Sequence, residues 1–348
     1  MTTASEQMCL AVHFPDANGG TDRRGPGAPD RNEFSALERL ARTAERGLFD
    51  FLLLPGTSRP PAYAGARGPG SGTGYPDPLT ALGALAAVTD RIGLAATAGT
   101  APGEPYLLAR RLATLDHLSA GRAGWHAAGE PGGGDQEDAR AEEFLTAVRT
   151  LWDSWAPDGT PRPFAHRGRH FVSEGEFTVP RCPQGRPVVI RTGDAPRDRA
   201  AAAASADVLV VPLGTPARGR ALRADLDGRL AAHGRRPDEL KILPGIGVVL
   251  GDSDAEARRR AAGIRPQRST DRQPFVGSPR TVAAGLAEYV AEGAADGFLL
   301  VPRLTPGGLG AFVDRVVPLL QEQGVFRTAY TGSTLRSHLG LDEPVWKG

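Results

Sequence analysis

An α/β fold built on a parallel sheet is what this chain predicts, on two observations. Short apolar runs alternate with helical patterns from end to end, the order that lays strands side by side and helices over their faces. The runs are also apolar at nearly every position, as strands covered on both faces are. There are eight: Met8–Phe14, Asp50–Leu54, Ile92–Ala98, Arg122–Ala128, Pro187–Thr192, Asp207–Pro212, Ile242–Leu250 and Gly297–Pro302. A chain of 348 residues has room for two domains, and one α/β barrel fits as well.

The helices fall between the runs. Glu33–Gly47 sets Phe34, Leu37, Leu40 and Ala44 on one stripe, with Asn32 in the N-cap position. Leu79–Thr89 follows a proline start. Leu108, Leu112 and Leu115 mark a helix whose last turn holds Asp116 and His117, and Gly121 breaks it. We read His117 as structural. Ala139–Trp155 carries Phe144, Val148, Leu151, Trp152 and Trp155. Pro216–His233 and Pro279–Glu292 come next, and Leu309–Gln323 reads as a closing helix. The Arg258, Arg259 and Arg260 triplet follows Asp254 and Glu256 in a further helix and reads as a solvated face.

Composition narrows the function. Apolar content of 40% supplies a full core, and a net charge of +1 points to neither nucleic acid nor an anionic membrane. Cys9 and Cys182 are the two cysteines, too few for a metal cage or a disulfide framework, so both read as packing residues. No apolar run reaches the ~18–20 residues of a membrane span. The N-terminus lacks a basic segment followed by an apolar one. A cytoplasmic protein is expected. Arginine so outnumbers lysine, which occurs only at Lys241 and Lys347, that a high-GC bacterial source with secondary metabolism is suggested.

In a barrel the site is built from loops after the C-terminal ends of the strands. Those loops are 15–31, 55–77, 99–104, 129–137, 193–196 and 303–308. Segment 56–77 is long and rich in Gly and Pro, so it either covers a ligand or forms a surface loop. Tyr63 and Tyr75 within it could stack on a flat ligand. His13 and His126 stand at strand ends, where an imidazole suits general-base work near neutral pH. Arg191 and Arg303 also stand at strand ends and could bind an acidic or phenolate oxygen. Trp125, beside His126, either walls a pocket or points into the barrel. No GxSxG, HExxH or P-loop is present, and the glycines at 132–134 lack the Lys and Ser/Thr of a phosphate cradle.

The run ARRLATLDHLSAGRAGW at 109–125 resembles the luciferase-like flavin monooxygenase family, in the branch of the nitrilotriacetate and desulfurisation monooxygenases. RGLFDFLLL, DPLTALGALAAVTDRIGLAATAGT, RAEEFLTAVRTLWDSW, GRHFVSEGEFTVPRCPQGRPVVI, FVGSP, GAADGFLLVP, PGGLGAFVDRVVPLLQEQGVFRTAY and STLRSHLGL extend the likeness over most of the chain. It implies a single (β/α)8 TIM barrel over 1–348, a homodimer, and monooxygenation with reduced FMN and dioxygen. The connection 251–277 is short where the family carries a long excursion after strand seven.

The resemblance also implies an FMN site, and the chain departs from it. A QAGSS-like phosphate loop after strand five is replaced by Arg191, Thr192, Gly193, Asp194 and Ala195. Glu130 replaces a hydroxyl residue in the other phosphate-side loop, and a tyrosine before RAEEF is missing. Pro55 and His126 stand where the family has Asp and Asn. The Thr97/Thr100 region keeps its character. A carboxylate about 4 Å from one phosphate charge costs about 4 kcal/mol at an effective dielectric of about 20.

The expectation is therefore an oxygenase acting on a small, aromatic or phenolic molecule with dioxygen, with no tightly bound cofactor. His13 or His126 would be the base, and Arg191 would stabilise developing negative charge. Trp125, Thr100, Arg303 and Tyr63 would contact substrate. The alternative is a two-component FMNH2-dependent enzyme, served by a flavin reductase, with Thr97, Thr192 and Gly193 on FMN. There Arg191 could pair with the phosphate and Asp194 could face away as a helix N-cap. A third possibility is a catalytically silent barrel that binds a ligand or partner.

Overall fold

The computed structural model describes residues 7–14, 34–56, 76–100, 103–128, 134–263, 274–301 and 308–346. Its strands are β1 (Cys9–His13), β2 (Phe51–Leu54), β3 (Gly93–Gly99), β4 (Ala123–Ala128), β5 (Phe164–Arg167), β6 (Val172–Gly175), β7 (Val188–Thr192), β8 (Val208–Pro212), β9 (Lys241–Leu250), β10 (Pro274–Gly277) and β11 (Gly297–Leu300). Its helices are α1 (Phe34–Arg46), α2 (Pro78–Ala86), α3 (Pro105–Leu118), α4 (Asp135–Asp153), α5 (Pro196–Ser205), α6 (Pro216–Ala232), α7 (Asp254–Ala262), α8 (Pro279–Ala291), α9 (Gly308–Arg315), α10 (Val317–Glu322) and α11 (Leu335–His338).

Every predicted run is a strand. Eight parallel strands close in the order β1-β2-β3-β4-β7-β8-β9-β11, and β11 returns to β1. The result is the (β/α)8 barrel. Side chains alternate between lumen and helix layer. Cys9, Ala11, Phe51, Leu53, Ala95, Val188, Ile190, Val208, Val210 and Leu299 pack together in the lumen. Trp125, Ala127 and Val189 face out and pack with α3 and α4. Both cysteines are buried free thiols, as packing residues should be.

Among the described residues, five labelled elements, β5, β6, β10, α5 and α11, lie outside the predicted set. The β5–β6 hairpin is antiparallel and mostly exposed, so it has no apolar run to announce it. Strand β10 pairs with the upper half of β9. Helix α5 buries only Ala202, Ala203 and Ser205, too little for a hydrophobic stripe. Helix α11 is a single turn. The closing helix also differs: it is two helices, because Pro318 offers no N–H to the turn before it. Asn32 lies outside the described residues. The connection after β9 is short; its described parts include α7 and β10, and Asp254 Oδ1 of α7 accepts from the Ser278 N–H at 2.7 Å at the start of α8.

The C-terminal segment plugs the bottom of the barrel. Leu335, Leu339 and Leu341 join the lumen cluster. A Cβ on Gly93 would sit 2.6 Å from Leu335 Cδ1, so glycine leaves the room that the plug uses. Two buried ion pairs hold the segment: Arg327 to Asp50 at 2.5 Å and Arg336 to Asp207 at 3.0 Å. Asp116 also works here, accepting from the Ala123 N–H at 3.0 Å and Gln184 Nε2 at 2.6 Å. His117 Nε2 bonds the Pro180 carbonyl at 3.1 Å, a structural contact.

Candidate active site at the barrel mouth

The upper end of the lumen is polar. His13, Thr97, His126 and Thr192 follow the inward-facing Ala11, Ala95, Gly124 and Ile190 by two residues each, so strand alternation turns all four to the lumen. The register places Thr97 beside His126 and His126 beside Ile190. His126 Nδ1 and Thr97 Oγ1 are 3.0 Å apart, and His126 Nε2 and Thr192 Oγ1 are 2.8 Å apart. Burial, then repulsion from His13 and Arg191, holds the His126 pKa down to about 4. The ring is neutral at pH 7, with one nitrogen donating and the other accepting. Whichever tautomer is present, the threonine that accepts from the ring keeps its own O–H for a ligand.

A cavity of about 600 Å³ opens beside this layer, and Thr97 lines it. Leu79, Leu107, Leu108 and Phe144 give it apolar walls, and Asp77, Glu104 and Arg111 are its charged residues. The combination of apolar walls and a few hydroxyl groups suits a small organic ligand. Among the described residues no cluster of three His, Cys, Asp or Glu side chains could hold a metal ion. No helix of the described residues is long and apolar enough to cross a membrane.

Several expected site residues lie elsewhere. Trp125 is fully buried in the helix layer, where its Nε1 donates to the Ala98 carbonyl at 3.0 Å and its ring meets Phe144 and Trp152. Arg191 shares the outer face of β7 with Val189 and reaches Glu142 of α4 at 2.6 Å. It acts on His126 through its charge and does not enter the lumen. Its Nε is buried with no hydrogen-bond partner. Thr100 is buried, 4% exposed, and its carbonyl accepts from Arg140. Tyr63, Tyr75, Arg303 and Glu130 lie outside the described residues. The apolar cavity wall was not singled out from sequence as a ligand site, because Leu108 and Phe144 carry the ordinary spacing of core residues.

The FMN that the resemblance implies needs amides and hydroxyls for its phosphate. The loop after β7 offers little of either. Helix α5 opens with Pro196, which has no N–H, and Asp198 Oδ2 takes the Ala195 N–H at 3.0 Å. Asp194 is not the N-cap; that position is Ala195. Asp194 instead lies between two guanidinium groups, Arg199 Nη2 at 2.9 Å and Arg218. These described residues do not fit a phosphate.

The luciferase-like monooxygenase family model matches residues 8–275. Nitrilotriacetate monooxygenase component A of Aminobacter aminovorans is 33% identical, with 98% of each chain covered. The alignment runs over 445 positions against 348 residues here, so part of that relative has no counterpart. The N-acetyl-S-(2-succino)cysteine monooxygenase of Bacillus subtilis (strain 168) is 32% identical, with 99% of each covered. Among solved structures, EDTA monooxygenase from Chelativorans sp. BNC1 superposes with a TM-score of 0.84 at 28% identity, covering 97% of this chain and 99% of that one.

Proposed function

We propose a function from the premise that the chain belongs to the luciferase-like monooxygenase family. It acts as an oxygenase on a small, electron-rich aromatic or phenolic molecule with dioxygen, at the mouth over His13, Thr97, His126 and Thr192, without tightly bound FMN. The observation that carries this reading is the phosphate end, where Asp194 and Asp198 stand and Pro196 removes an amide. The route is written without the flavin. His13 takes the substrate's acidic proton. His126 is a poor base, because its conjugate acid has a pKa of about 4 and both ring nitrogens are engaged. Its threonine partner with a spare O–H holds the substrate oxygen. The substrate supplies all four electrons that dioxygen takes up: two of its hydrogens leave as water with one oxygen atom, and the other oxygen enters the product.

A second reading is favoured by the full-length likeness to a protein named component A and by the two cations, Arg199 and Arg218, that stand beside Asp194. In it the enzyme uses reduced FMN from a separate reductase. Oxygen uptake with phenolic substrates alone, compared with uptake after adding FMN and a flavin reductase, decides between the two. Uptake with substrate alone is expected. Turnover that requires both additions sinks the first reading and establishes the second. The same premise leads to a homodimer and a cytoplasmic location, and light scattering of the purified chain tests the former.

A further inference from the structure

We propose that Asp194 and Asp198 form a built-in anion at the phosphate end of the mouth, so that the mouth selects flat ligands without a phosphate over phosphorylated ones. The proposal rests on the reading that the ligand lies over the Thr97–His126–Thr192 layer, and it names the ligand class that layer accepts.

The argument starts from what a phosphate requires. An anion at a helix N-terminus needs free amides, and cations beside it help. One loop amide and two guanidinium groups are already committed to the chain's own carboxylates. Asp198 Oδ2 holds the Ala195 N–H. Asp194 Oδ1 accepts from Arg199 Nη2 at 2.9 Å and Nε at 3.2 Å, and its Oδ2 accepts from Arg218 of α6. Arg199 is further engaged by Asp225 Oδ2 at 3.2 Å, which is also 3.0 Å from Arg229 Nε. Asp194 is only 13% exposed in this network, so it has little freedom to swing away.

The backbone is shaped for the same arrangement. Gly193 has φ +140°, and a Cβ there would sit 2.2 Å from Asp198 Oδ2. Glycine is what lets the Asp198 carboxylate lie against the loop. An incoming phosphate would have to displace a carboxylate from its guanidinium groups, or approach it as a like charge. The ring end makes no such demand. His126 is neutral, Thr97 and Thr192 present hydroxyls, and the cavity walls are apolar. A flat ring system with polar edge atoms fits there.

Riboflavin and FMN share one ring system and differ in the phosphate, so the pair is the probe. Dissociation constants for both are measured on the full chain and on Asp194→Ser by flavin fluorescence and calorimetry. The native chain should bind riboflavin at least as tightly as FMN. Asp194→Ser should tighten FMN relative to riboflavin by about tenfold or more. Asp194→Asn removes the charge at nearly constant shape and should shift the ratio in the same direction, which decides the matter where the serine variant does not fold. If the native chain binds neither flavin, FMN binding gained by either variant supports the proposal and no gain overturns it. Native FMN binding about tenfold tighter than riboflavin binding overturns it, as does a ratio unchanged in both variants. The measurement needs no turnover, so a chain that fails to take up oxygen can still pass, and an active one can still fail.

Discussion

At the scale of single residues, His126 has the largest consequence for pH. Its folded pKa of about 4 lies below the ordinary 6.5. Between those values an unfolded chain binds a proton that the folded chain refuses. Its contribution is therefore fully present above pH 6.5 and is lost as pH falls toward 4, by at most about 3 kcal/mol. His338 is also held at about 4 by burial and titrates in the same window. Urea unfolding between pH 4 and 7 should show a flatter acid limb for His126→Gln than for the native chain. An unchanged limb would mean that His126 is not neutral in the fold. Thr192→Val removes the Nε2 partner at 2.8 Å, leaving one buried ring nitrogen unpaired at a cost of about 1–3 kcal/mol. Thermal melts of that variant check the figure. The sequence placed His126 at a strand end but not its partners, because Thr97 and Thr192 lie 29 and 66 residues away. The face that Arg191 takes is hidden for a related reason: a strand end alone does not say which way a side chain points, and the Val189 face belongs to α4.

At the scale of elements, legibility followed burial. The barrel strands buried on both faces were readable as apolar runs. The β5–β6 hairpin was not, since Val172, Glu174 and Gly175 are exposed. Its position comes from one side chain of α4: Glu143 accepts from the N–H groups of Arg169 at 3.0 Å, His170 at 2.9 Å and Phe171 at 2.7 Å. No periodicity encodes such a contact. Helix α5 was missed because its buried face is alanine, yet its start shapes the mouth. Gly193→Ala tests that element. The substitution puts a side chain at φ +140° and against Asp198, and such strain costs about 1–3 kcal/mol. The thermal midpoint should fall, and proteolysis should find the loop before α5 first. An unaltered midpoint would show that the loop has another conformation open to it.

At the scale of the whole molecule, the two ends of the barrel do different work. The top carries the hydroxyls, the imidazoles and the cavity. The bottom is closed by Leu335, Leu339 and Leu341, with Asp50–Arg327 and Asp207–Arg336 as buried clamps. Stability at one end and chemistry at the other is the division expected of this fold. Leu335→Ala probes it directly. Leu335 is fully buried against Gly93 and Gly124, and a leucine cavity of this kind costs about 2–5 kcal/mol. Asp207→Asn should act at the same end. It leaves the Arg336 guanidinium, 8% exposed, without its counter-charge, and breaking a buried pair costs about 3–5 kcal/mol. Both variants should unfold at lower denaturant yet bind a mouth ligand with the native dissociation constant wherever they remain folded. A weakened constant in a folded variant would mean that the plug also sets the register of the strands at the mouth. The barrel would then transmit strain along its length, and its bottom would be part of the site.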